Sequence, residues 1–454
     1  MRQIKTIDAD TLTVISAYFR LRGEHSFLLE SVPTDSEKSR YSIIAVDPVH
    51  EFSTVGHSVT IDGQTTEHND PLMALQDLVV TEDECLDELP FQGGAIGYVG
   101  FDMIATYEKL NNLPENDLGM PDSHLFLYET FIIFDHQLEK IQIVVDNVYS
   151  GRGNLNEISM AIENKLKLPI ADELVPVQLH DLKPKSNLTP DQFEAIVNHT
   201  KELIQDGDMF QMVPSQRFSF AFDDKPFDFY RQLRRTNPSP YMYYMDYGDY
   251  QIIGSSPESL VTVRGETVTT NPIAGTRKRG QTVEEDIAIA QELKNNEKEL
   301  AEHRMLVDLG RNDLGKVSQF GSVQVTTLLE IQKYRYIMHL VSEVSGKLNE
   351  HTPAISALKA TLPAGTVSGA PKVRALQRIY EMESVSRGVY AGAIGYLSCD
   401  NQMDFAIAIR TMIVKNKKGY VQAGAGIVYD SVAENEYQET LNKAKALLSV
   451  GVNR

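Results

Sequence analysis

The sequence predicts a mixed fold of the α+β (α/β) class, with a strand-rich first part followed by alternating helices and strands. Two observations support this prediction. Short segments rich in aromatic and β-branched residues recur through residues 1–170 between Gly, Pro and Asp residues, which is typical of strands. From about residue 190, segments with apolar residues at helical spacing alternate with further strand-like segments.

Each predicted strand is a short apolar segment bounded by turn-forming residues. The segments are SFLLES, RYSIIAV, AIGYVGF and LFLYETFIIFD in the first part, and FQMVPSQRFSFAF and YQIIGSSPESLVTVRG in the second. Helical spacing predicts helices over about residues 190–206, 283–307 and 433–449. Thr189 precedes the first of these helices and is a suitable N-cap residue.

Residues 173–190 divide the chain into two parts. This segment contains three prolines and no periodicity, so we predict a linker or an exposed crossing between residues 1–172 and residues 191–454. GGAIGYVGFD at 93–102 and AGAIGYLSCD at 391–400 share the letters GAIGY. The repeat indicates either one similar strand in each half of a duplicated fold or a recurring hairpin signal.

The composition is that of a folded protein whose partners are not polyanions. The chain has 454 residues, 42% hydrophobic and 23% charged, which is close to the globular average. This length is typical of about three domains, or of fewer large ones. Sixty-three acidic against 43 basic residues leave a net charge of −20, which has the wrong sign for nucleic acid or an anionic membrane.

The cysteines and the N-terminus favour a cytoplasmic location. Cys85 and Cys399 are the only cysteines, and neither belongs to a CxxC motif, so neither a disulfide framework nor a thiolate metal site is supported. Asp8 and Asp10 lie where a signal peptide would need an apolar segment, and no segment is long enough to span a membrane.

Two pairs of glutamates have the spacing of one helix face. Glu299 and Glu302 are three residues apart, and Glu436 and Glu439 repeat this spacing with Lys443 one turn further on. Carboxylates from two helices are suitable ligands for Mg²⁺, which prefers oxygen and keeps several waters. Glutamate-rich helix faces are also commonly solvated, so spacing alone leaves both interpretations open.

Helix capping offers another interpretation of the acidic residues in the last helix. Ser431 and Glu434 fit the spacing of a capping box, in which the two side chains satisfy backbone groups at the start of a helix.

Three glycine-containing segments are candidate anion sites. PIAGTRKRG (272–280) and LPAGTVSGAPK (362–372) combine small residues with Thr276 or Thr366 and a base, and GAGIVYDS (424–431) precedes a predicted helix. None of them has the GxGxxG or P-loop spacing, so no nucleotide site is indicated. The alternative is that they are ordinary structural turns.

Three isolated polar residues lie in apolar surroundings. Arg410 interrupts the strand-like FAIAIRTMIV and needs a partner if it is buried, either a ligand carboxylate or an internal salt bridge. Glu258 follows an apolar strand and is a candidate general acid. His339 is either a core histidine or a proton-transfer group.

Taken together, these segments resemble the chorismate-utilising enzymes, and among them the large subunits of anthranilate synthases, over essentially the whole chain. The segments that support the resemblance occur in the family's order: FQMVPSQRF, GSSPESLV, PIAGTRKRG, ELAEHRMLVDLGRNDLG, MHLVSEVSG, LPAGTVSGAPK, AGAIGY, AIAIRTM and AGAGIVYDSVAENEYQETLNKAKAL. The resemblance implies a large two-layered β-sheet sandwich with helices packed outside it. It also implies that residues 1–172 are regulatory and residues 191–454 bind chorismate.

The resemblance implies a reaction in which chorismate and ammonia give anthranilate and pyruvate. Glu258 would protonate the departing 4-hydroxyl while ammonia adds at C2. Removal of the C2 proton and loss of pyruvate would follow in the region lined by His339 and Thr366, and the group that takes the proton is left open. Mg²⁺ would be held by Glu302 and Glu436, supported by Glu299 and Glu439, against the ring carboxylate.

The implied substrate site has two features. Arg410 and Tyr390 would bind the enolpyruvyl carboxylate, and the backbone near Gly426 with Lys443 would complete the anion site. The full implied set is Gln211, Ala274, Gly275, Thr276, Tyr390, Arg410, Gly424, Ala425, Gly426 and Lys443.

Two of these positions separate the reactions of the family. Members that add water at C2 carry a lysine base where this chain has Gln211. Well-known aminodeoxychorismate synthases carry a nucleophilic lysine where this chain has Ala274. The sequence therefore favours anthranilate synthesis, with aminodeoxychorismate synthesis for the folate branch as the alternative.

Segments near residues 28–31, 40–42 and 237–245 resemble the tryptophan feedback site of anthranilate synthases. The residues are Leu29, Glu30, Ser31, Arg40, Tyr41, Ser42, Asn237, Pro238, Ser239, Pro240, Tyr241 and Met242. L-Tryptophan bound there would inhibit the enzyme from a distinct site. A purely structural interpretation of these segments is a strand end and a proline turn. For the protein as a whole, the alternative is a catalytically inactive tryptophan sensor.

Ammonia is expected from a separate glutamine amidotransferase subunit, in a heterodimer or heterotetramer. No amidotransferase segment follows the final VNR, and neither cysteine lies in a glycine-rich nucleophile turn.

Overall fold

The computed structural model describes residues 2–31, 40–81, 89–111, 113–170, 179–333 and 337–451. The strands of the first part are β1 (Gln3–Asp8), β2 (Phe27–Glu30), β3 (Tyr41–Ala45), β4 (His50–Val55), β5 (Ser58–Ile61), β6 (Gln64–Glu67), β7 (Gly94–Val99), β8 (Ser123–Tyr128), β9 (Thr130–Asp135) and β10 (Lys140–Val145). The later strands are β11 (Lys185–Ser186), β12 (Gln211–Met212), β13 (Ser215–Ala221), β14 (Tyr241–Asp246), β15 (Tyr250–Ser256), β16 (Ser259–Arg264), β17 (Thr267–Thr270), β18 (Ile273–Lys278), β19 (Gln324–Lys333), β20 (Ile337–Lys347), β21 (Gly369–Ala370), β22 (Ala393–Ser398), β23 (Met403–Ile407), β24 (Thr411–Lys415) and β25 (Lys418–Gly424).

Helices connect these strands. They are α1 (Val14–Leu21), α2 (Pro71–Val79), α3 (Leu155–Leu166), α4 (Pro190–Gln205), α5 (Pro226–Thr236), α6 (Val283–Asn295), α7 (Glu297–Gly315), α8 (Ala354–Thr361), α9 (Lys372–Met382) and α10 (Ala433–Leu448), with 3-10 turns at Phe101–Thr106 and Gly365–Val367. Among the described residues, every helix is too short or too polar to cross a lipid bilayer.

Most of the strands form two large sheets whose neighbouring strands run antiparallel, and β12 and β21 pair separately. The first sheet has the order β1-β10-β9-β3-β2-β14-β15-β24-β25-β13-β11. The second has the order β18-β20-β17-β16-β23-β22-β7-β8-β4-β5-β6, with β19 paired to β20. Strands from before and after the 173–190 segment therefore contribute to both sheets. The two GAIGY repeats form β7 and β22, which pair directly with Gly97 opposite Gly395.

The sheets pack face to face with helices outside, which confirms the predicted fold class. One buried cluster combines side chains of the first sheet, such as Phe27, with side chains of the second, such as Ile96, so it lies between the sheets. A second cluster packs α1, α3 and α5 against the outer face of the first sheet. A third packs α2, α8 and α9 against the outer face of the second sheet.

Two local predictions about helices are wrong. The helix predicted over 283–307 is two helices, because Asn296 ends α6 in an extended conformation and its side chain caps α7 by accepting from the Glu299 N–H. The capping box at Ser431 and Glu434 does not form: α10 begins after Val432 without a side-chain cap, and the Ser431 hydroxyl accepts from the Val428 N–H instead.

Of the predicted linker, residues 173–178 lie outside the described part of the chain. Residues 179–189 lack helix, and β11 within them pairs with β13 at the edge of the first sheet. Thr189 caps α4 through a capping box with Gln192, as its position before the helix suggested. Cys399 is a buried thiol that donates to the Gln92 carbonyl, and Cys85 lies outside the described residues.

Candidate active site

Helix α7 packs against the second sheet and α10 against the first. A cavity of about 600 Å³ lies where these two helices face each other. Two chain crossings between the sheets, after β15 and after β23, also reach it. The predicted residues that line it are Gln211, Glu258, Ala274, Gly275, Thr276, Glu299, Glu302, His339, Thr366, Tyr390, Arg410, Gly424, Gly426, Glu436, Glu439 and Lys443. The structure thus brings together residues that are scattered over more than half of the sequence.

Ala425 is the exception among the predicted cavity residues. Its side chain is fully buried with Phe193, Val197 and Ile427, behind the cavity wall. Strand alternation explains this, because neighbours on an extended chain face opposite sides and Gly424 and Gly426 face the cavity.

The four glutamates come from facing helices, two from α7 and two from α10. Two of them already have basic partners: Glu299 with Arg277 at 2.9 Å, and Glu439 with Lys443 at 2.7 Å. Glu302 accepts a hydrogen bond of 2.8 Å from the Gln211 amide.

Glu302 and Glu436 have no ion pair in the described part of the chain. Burial, with added repulsion from the neighbouring glutamates, raises the pKa of both carboxyls. Within the described ranges, no three Asp, Glu, His or Cys side chains converge closely enough to hold a metal ion by themselves. The two carboxylates offer only oxygen atoms as ligands. They nevertheless fit Mg²⁺, because this ion prefers oxygen and keeps several waters in its coordination shell.

Arg410 lies in the crossing between β23 and β24 rather than within one strand. Its backbone has a φ of 48°, which interrupts the predicted strand and turns the chain from one sheet to the other. Burial lowers the pKa of its guanidinium, and Glu258 partly opposes this. No carboxylate in the described residues forms a salt bridge with Arg410, so the structure does not support an internal salt bridge as the partner of this guanidinium.

Tyr390 and Lys443 lie at the same end of the cavity. Burial raises the pKa of Tyr390 to about 12, so its phenol stays protonated. The Lys443 ammonium donates to the Gly424 carbonyl at 2.9 Å. This phenol and this ammonium line one cavity with the Arg410 guanidinium, and all three groups are suited to binding a carboxylate.

Glu258 lies in the other crossing, between β15 and β16. Burial raises the pKa of its carboxyl to about 8, although Thr366 and the positive charges of Lys443 and Arg410 lower it in part. At neutral pH the group therefore carries a proton, which is the state required of a general acid.

His339 and Thr276 lie opposite each other on β20 and β18. The Thr276 hydroxyl and His339 Nδ1 are 2.8 Å apart, which fixes the orientation of the imidazole ring. Burial, assisted by the charge of Arg410, lowers the pKa of His339 to about 4, so the ring is neutral.

Gly275 lies at the bulge of β18, where the backbone conformation and the close neighbours both favour glycine. Its φ is 74°, and a Cβ atom at this position would come within 3.1 Å of Glu299 Oε2. A side chain here would strain the backbone and crowd the carboxylates.

Sequence reasoning missed a buried ion pair that holds the cavity walls. Arg387 pairs with Glu383 at 2.6 Å and also donates to the carbonyls of Val367 and Val213. Glu383 in turn accepts from the backbone and hydroxyl of Ser215. The only signal in the sequence is a spacing of four residues, which is too common to single out a site.

A second cavity, of about 550 Å³, lies between the sheets and shares no lining residue with the first. It is lined by seven of the residues from the predicted tryptophan set: Leu29, Glu30, Ser31, Tyr41, Pro240, Tyr241 and Met242. Five others do not line it: Arg40, Ser42, Asn237, Pro238 and Ser239.

Hydrogen bonds explain why several polar side chains of the predicted tryptophan set point away from the second cavity. The Arg40 guanidinium pairs with Asp135, and the Ser42 hydroxyl lies 2.8 Å from His136 Nε2. Glu30 lines the cavity, but its carboxylate accepts from Arg234 on α5 at 2.8 Å.

Comparisons with known proteins show what the chain is similar to. The family of chorismate binding enzymes matches residues 24–449. Anthranilate synthase component 1 of Lactococcus lactis subsp. lactis (strain IL1403) is 51% identical, over 99% of this chain and 100% of the relative. The crystal structure of anthranilate synthase component I from Streptococcus pneumoniae TIGR4 has a TM-score of 0.87 and 52% identity, over 97% of this chain and 99% of the other. The menaquinone-specific isochorismate synthase of Escherichia coli has a TM-score of 0.75 at 19% identity, covers 99% of this chain and 95% of its own, and shares the fold.

Proposed function

The chain belongs to the family of chorismate binding enzymes, and from this premise we propose that it is the chorismate-converting component of an anthranilate synthase. It converts chorismate and ammonia to anthranilate and pyruvate, the first step committed to tryptophan synthesis. The observation that carries the proposal is the buried Glu258 carboxyl, whose pKa is raised to about 8, in a cavity that Glu302, Glu436 and Arg410 also line.

The enolpyruvyl carboxylate of chorismate binds at Arg410. A buried guanidinium without a salt-bridge partner in the described chain is costly, and a substrate carboxylate supplies the missing charge. Tyr390 and Lys443 line the same cavity and add a hydroxyl and a second positive charge. This arrangement orients the substrate with one end fixed by charge-assisted hydrogen bonds.

Glu302 and Glu436, supported by Glu299 and Glu439, would hold Mg²⁺. The raised pKa values of Glu302 and Glu436 support this placement, because a cation would offset both the burial of these carboxyls and their repulsion by the neighbouring glutamates. When bound, the metal would neutralise these carboxylates together with the ring carboxylate of chorismate.

Glu258 acts as the general acid of the first step. Its proton goes to the 4-hydroxyl, which leaves as water while ammonia adds at C2. Thr366 lies beside the carboxyl and lowers its pKa in part.

His339 acts in the second step, in which the C2 proton is removed and pyruvate leaves. A neutral imidazole can accept a proton, and the contact with Thr276 holds the ring in place.

Two residues favour anthranilate over the other products of the fold. The Gln211 amide donates to Glu302 and cannot act as the base that activates water. Ala274 lines the cavity with a methyl group that cannot attack C2. Aminodeoxychorismate synthesis remains the alternative that a product analysis separates.

L-Tryptophan inhibits the enzyme by binding in the cavity of about 550 Å³ between the sheets. Support comes from the mixed lining of apolar and aromatic side chains with polar groups, which suits an amphipathic amino acid. Asn271, at the wall of this cavity, immediately precedes Pro272 and the active-site strand β18, which provides a physical connection between the two sites.

A second component supplies ammonia from glutamine, in a cytoplasmic heterodimer or heterotetramer. The name of the relatives, component 1, supports the existence of such a partner.

The experiment that tests the function is to identify the products formed by the purified chain from chorismate, ammonium and Mg²⁺. We expect anthranilate and pyruvate in equal amounts. Aminodeoxychorismate would assign the chain to the alternative reaction.

A further inference from the structure

Glu258 separates two cavities. Behind the active-site cavity lies a small one of about 40 Å³, and both Glu258 and Thr366 line the two of them. A water molecule needs roughly 10–15 Å³ of space for its centre and two to four polar partners. The small cavity is therefore large enough for one water in contact with the catalytic carboxyl.

A buried ion pair lines the far side of this small cavity. Asp313 of α7 is a lining residue, and its Oδ2 atom is 2.6 Å from the ammonium of Lys372 at the start of α9. Both side chains are at least nine-tenths buried, and Lys372 also donates to the Thr361 carbonyl at 2.9 Å. The other oxygen of Asp313 lies 3.4 Å from Lys316, whose side chain is half exposed. Asp313 thus connects the small cavity to the surface through charged groups.

The proposed reaction creates a need for such a connection. Glu258 loses its proton in every turnover and must regain it before the next one. Substrate and products occupy the active-site cavity on one side of the carboxyl, so the other side, toward the small cavity, is free for proton return. In a buried ion pair, the cost of desolvation offsets much of the attraction. A contribution to stability is therefore a weak explanation for the pair of Asp313 and Lys372.

We propose that Asp313 and Lys372, with one water in the small cavity, form a proton relay that returns a proton to Glu258 after each turnover. The inference rests on the proposed role of Glu258 as general acid.

The relay balances as a series of proton transfers with no redox step. Lys372 gives a proton to Asp313, Asp313 gives one to the water, and the water gives one to the Glu258 carboxylate. The neutral Lys372 amine regains its proton from solvent through Lys316 and Asp313. Each cycle takes one proton from solvent, while ammonia releases one as it becomes the amino group.

The surrounding charges are compatible with these transfers. Burial lowers the pKa of Lys372, against the opposing attraction of Asp313, and Lys316 and Glu108 also act on it. The positive charges of Lys443 and Arg410 act on Glu258 from the side of the active-site cavity, and Asp313 is the charged group that shares the small cavity with it.

The test compares the first turnover with later ones in the full chain, by rapid mixing with saturating chorismate, ammonium and Mg²⁺ near neutral pH. Glu258 begins protonated, so Asp313→Asn should leave the first turnover within about twofold of wild type and slow the steady state at least about tenfold. Asp308→Asn is the matched control, because Asp308 is an exposed aspartate on the same helix. It should change neither rate.

Ala364→Val provides a second variant that leaves the ion pair intact. Ala364 lines the small cavity, and two added methyl groups would displace a water from it. We expect the same pattern of a normal first turnover and a slow steady state. If Asp313→Asn fails to fold, the result with Ala364→Val decides the test. Equal slowing of both rates, or no slowing, would overturn the relay. A wild-type chain that forms no anthranilate would instead refute the proposed function.

Discussion

The Gln211 side-chain amide donates a hydrogen bond of 2.8 Å to Oε1 of Glu302, although the two residues are 91 positions apart in the sequence. Gln211 lies on the short strand β12 and Glu302 on helix α7, so the contact joins two walls of the active-site cavity. The residue that argues against water addition therefore also orients a proposed Mg²⁺ ligand. Such supporting contacts hold ligands in the geometry that a metal requires.

We predict that Gln211→Leu raises the Mg²⁺ concentration needed for half-maximal activity by about tenfold, since Glu302 loses its orienting donor. Glu302→Gln should abolish Mg²⁺-dependent turnover. Activity is measured across a Mg²⁺ titration with ammonium as nitrogen source. Gln205→Leu, at an exposed position on α4, is the control and should behave as wild type. An unchanged Mg²⁺ requirement in Gln211→Leu would remove the orienting role.

The raised pKa of Glu258 predicts a pH dependence. The acid must be protonated, so kcat/KM should fall as pH rises through about 8, by about tenfold for each further pH unit. The profile is measured with the concentration of free ammonia held constant, because ammonia itself titrates nearby. A flat profile across this range would be inconsistent with Glu258 as the acid.

The cavity between the sheets predicts inhibition by L-tryptophan that one substitution relieves. Ser31 lines this cavity at the end of β2, and Ser31→Leu would fill part of the space. We expect the tryptophan concentration for half-inhibition to rise at least about tenfold, which corresponds to about 1.4 kcal/mol of binding free energy. The rate without tryptophan serves as the internal control and should stay near that of wild type. Equal inhibition of both proteins would place the site elsewhere.

The nitrogen source provides a further prediction. The purified chain alone should use ammonium and not glutamine, because glutamine hydrolysis is assigned to a second component. The two rates are compared at saturating chorismate and Mg²⁺. Efficient use of glutamine by the isolated chain would contradict this division of labour.

The fold class and the set of cavity residues could be predicted because local signals and family motifs agree. The glutamate pairs, for example, follow from helical spacing on α7 and α10. The break at Asn296 was not predicted, because apolar spacing continues across it and only the capping geometry reveals it.

Other features depend on tertiary contacts that have no local signal. Arg410 lies in a sequence that resembles one strand, yet the chain turns there to cross from the second sheet to the first. The orientation of Glu30 toward Arg234 of α5 depends on which face of β2 is covered by a helix. Likewise, the pairing of Asp313 with Lys372 joins residues 59 positions apart.

The central claim is that Glu258 donates the proton that allows ammonia to add at C2 of chorismate. The most direct measurement is product analysis by mass and fluorescence after mixing chorismate, isotope-labelled ammonium and Mg²⁺ with the wild-type chain or with Glu258→Gln. We predict labelled anthranilate with an equal amount of pyruvate from wild type, and neither product from the folded variant. Labelled aminodeoxychorismate from wild type, or undiminished anthranilate from the variant, would contradict the claim.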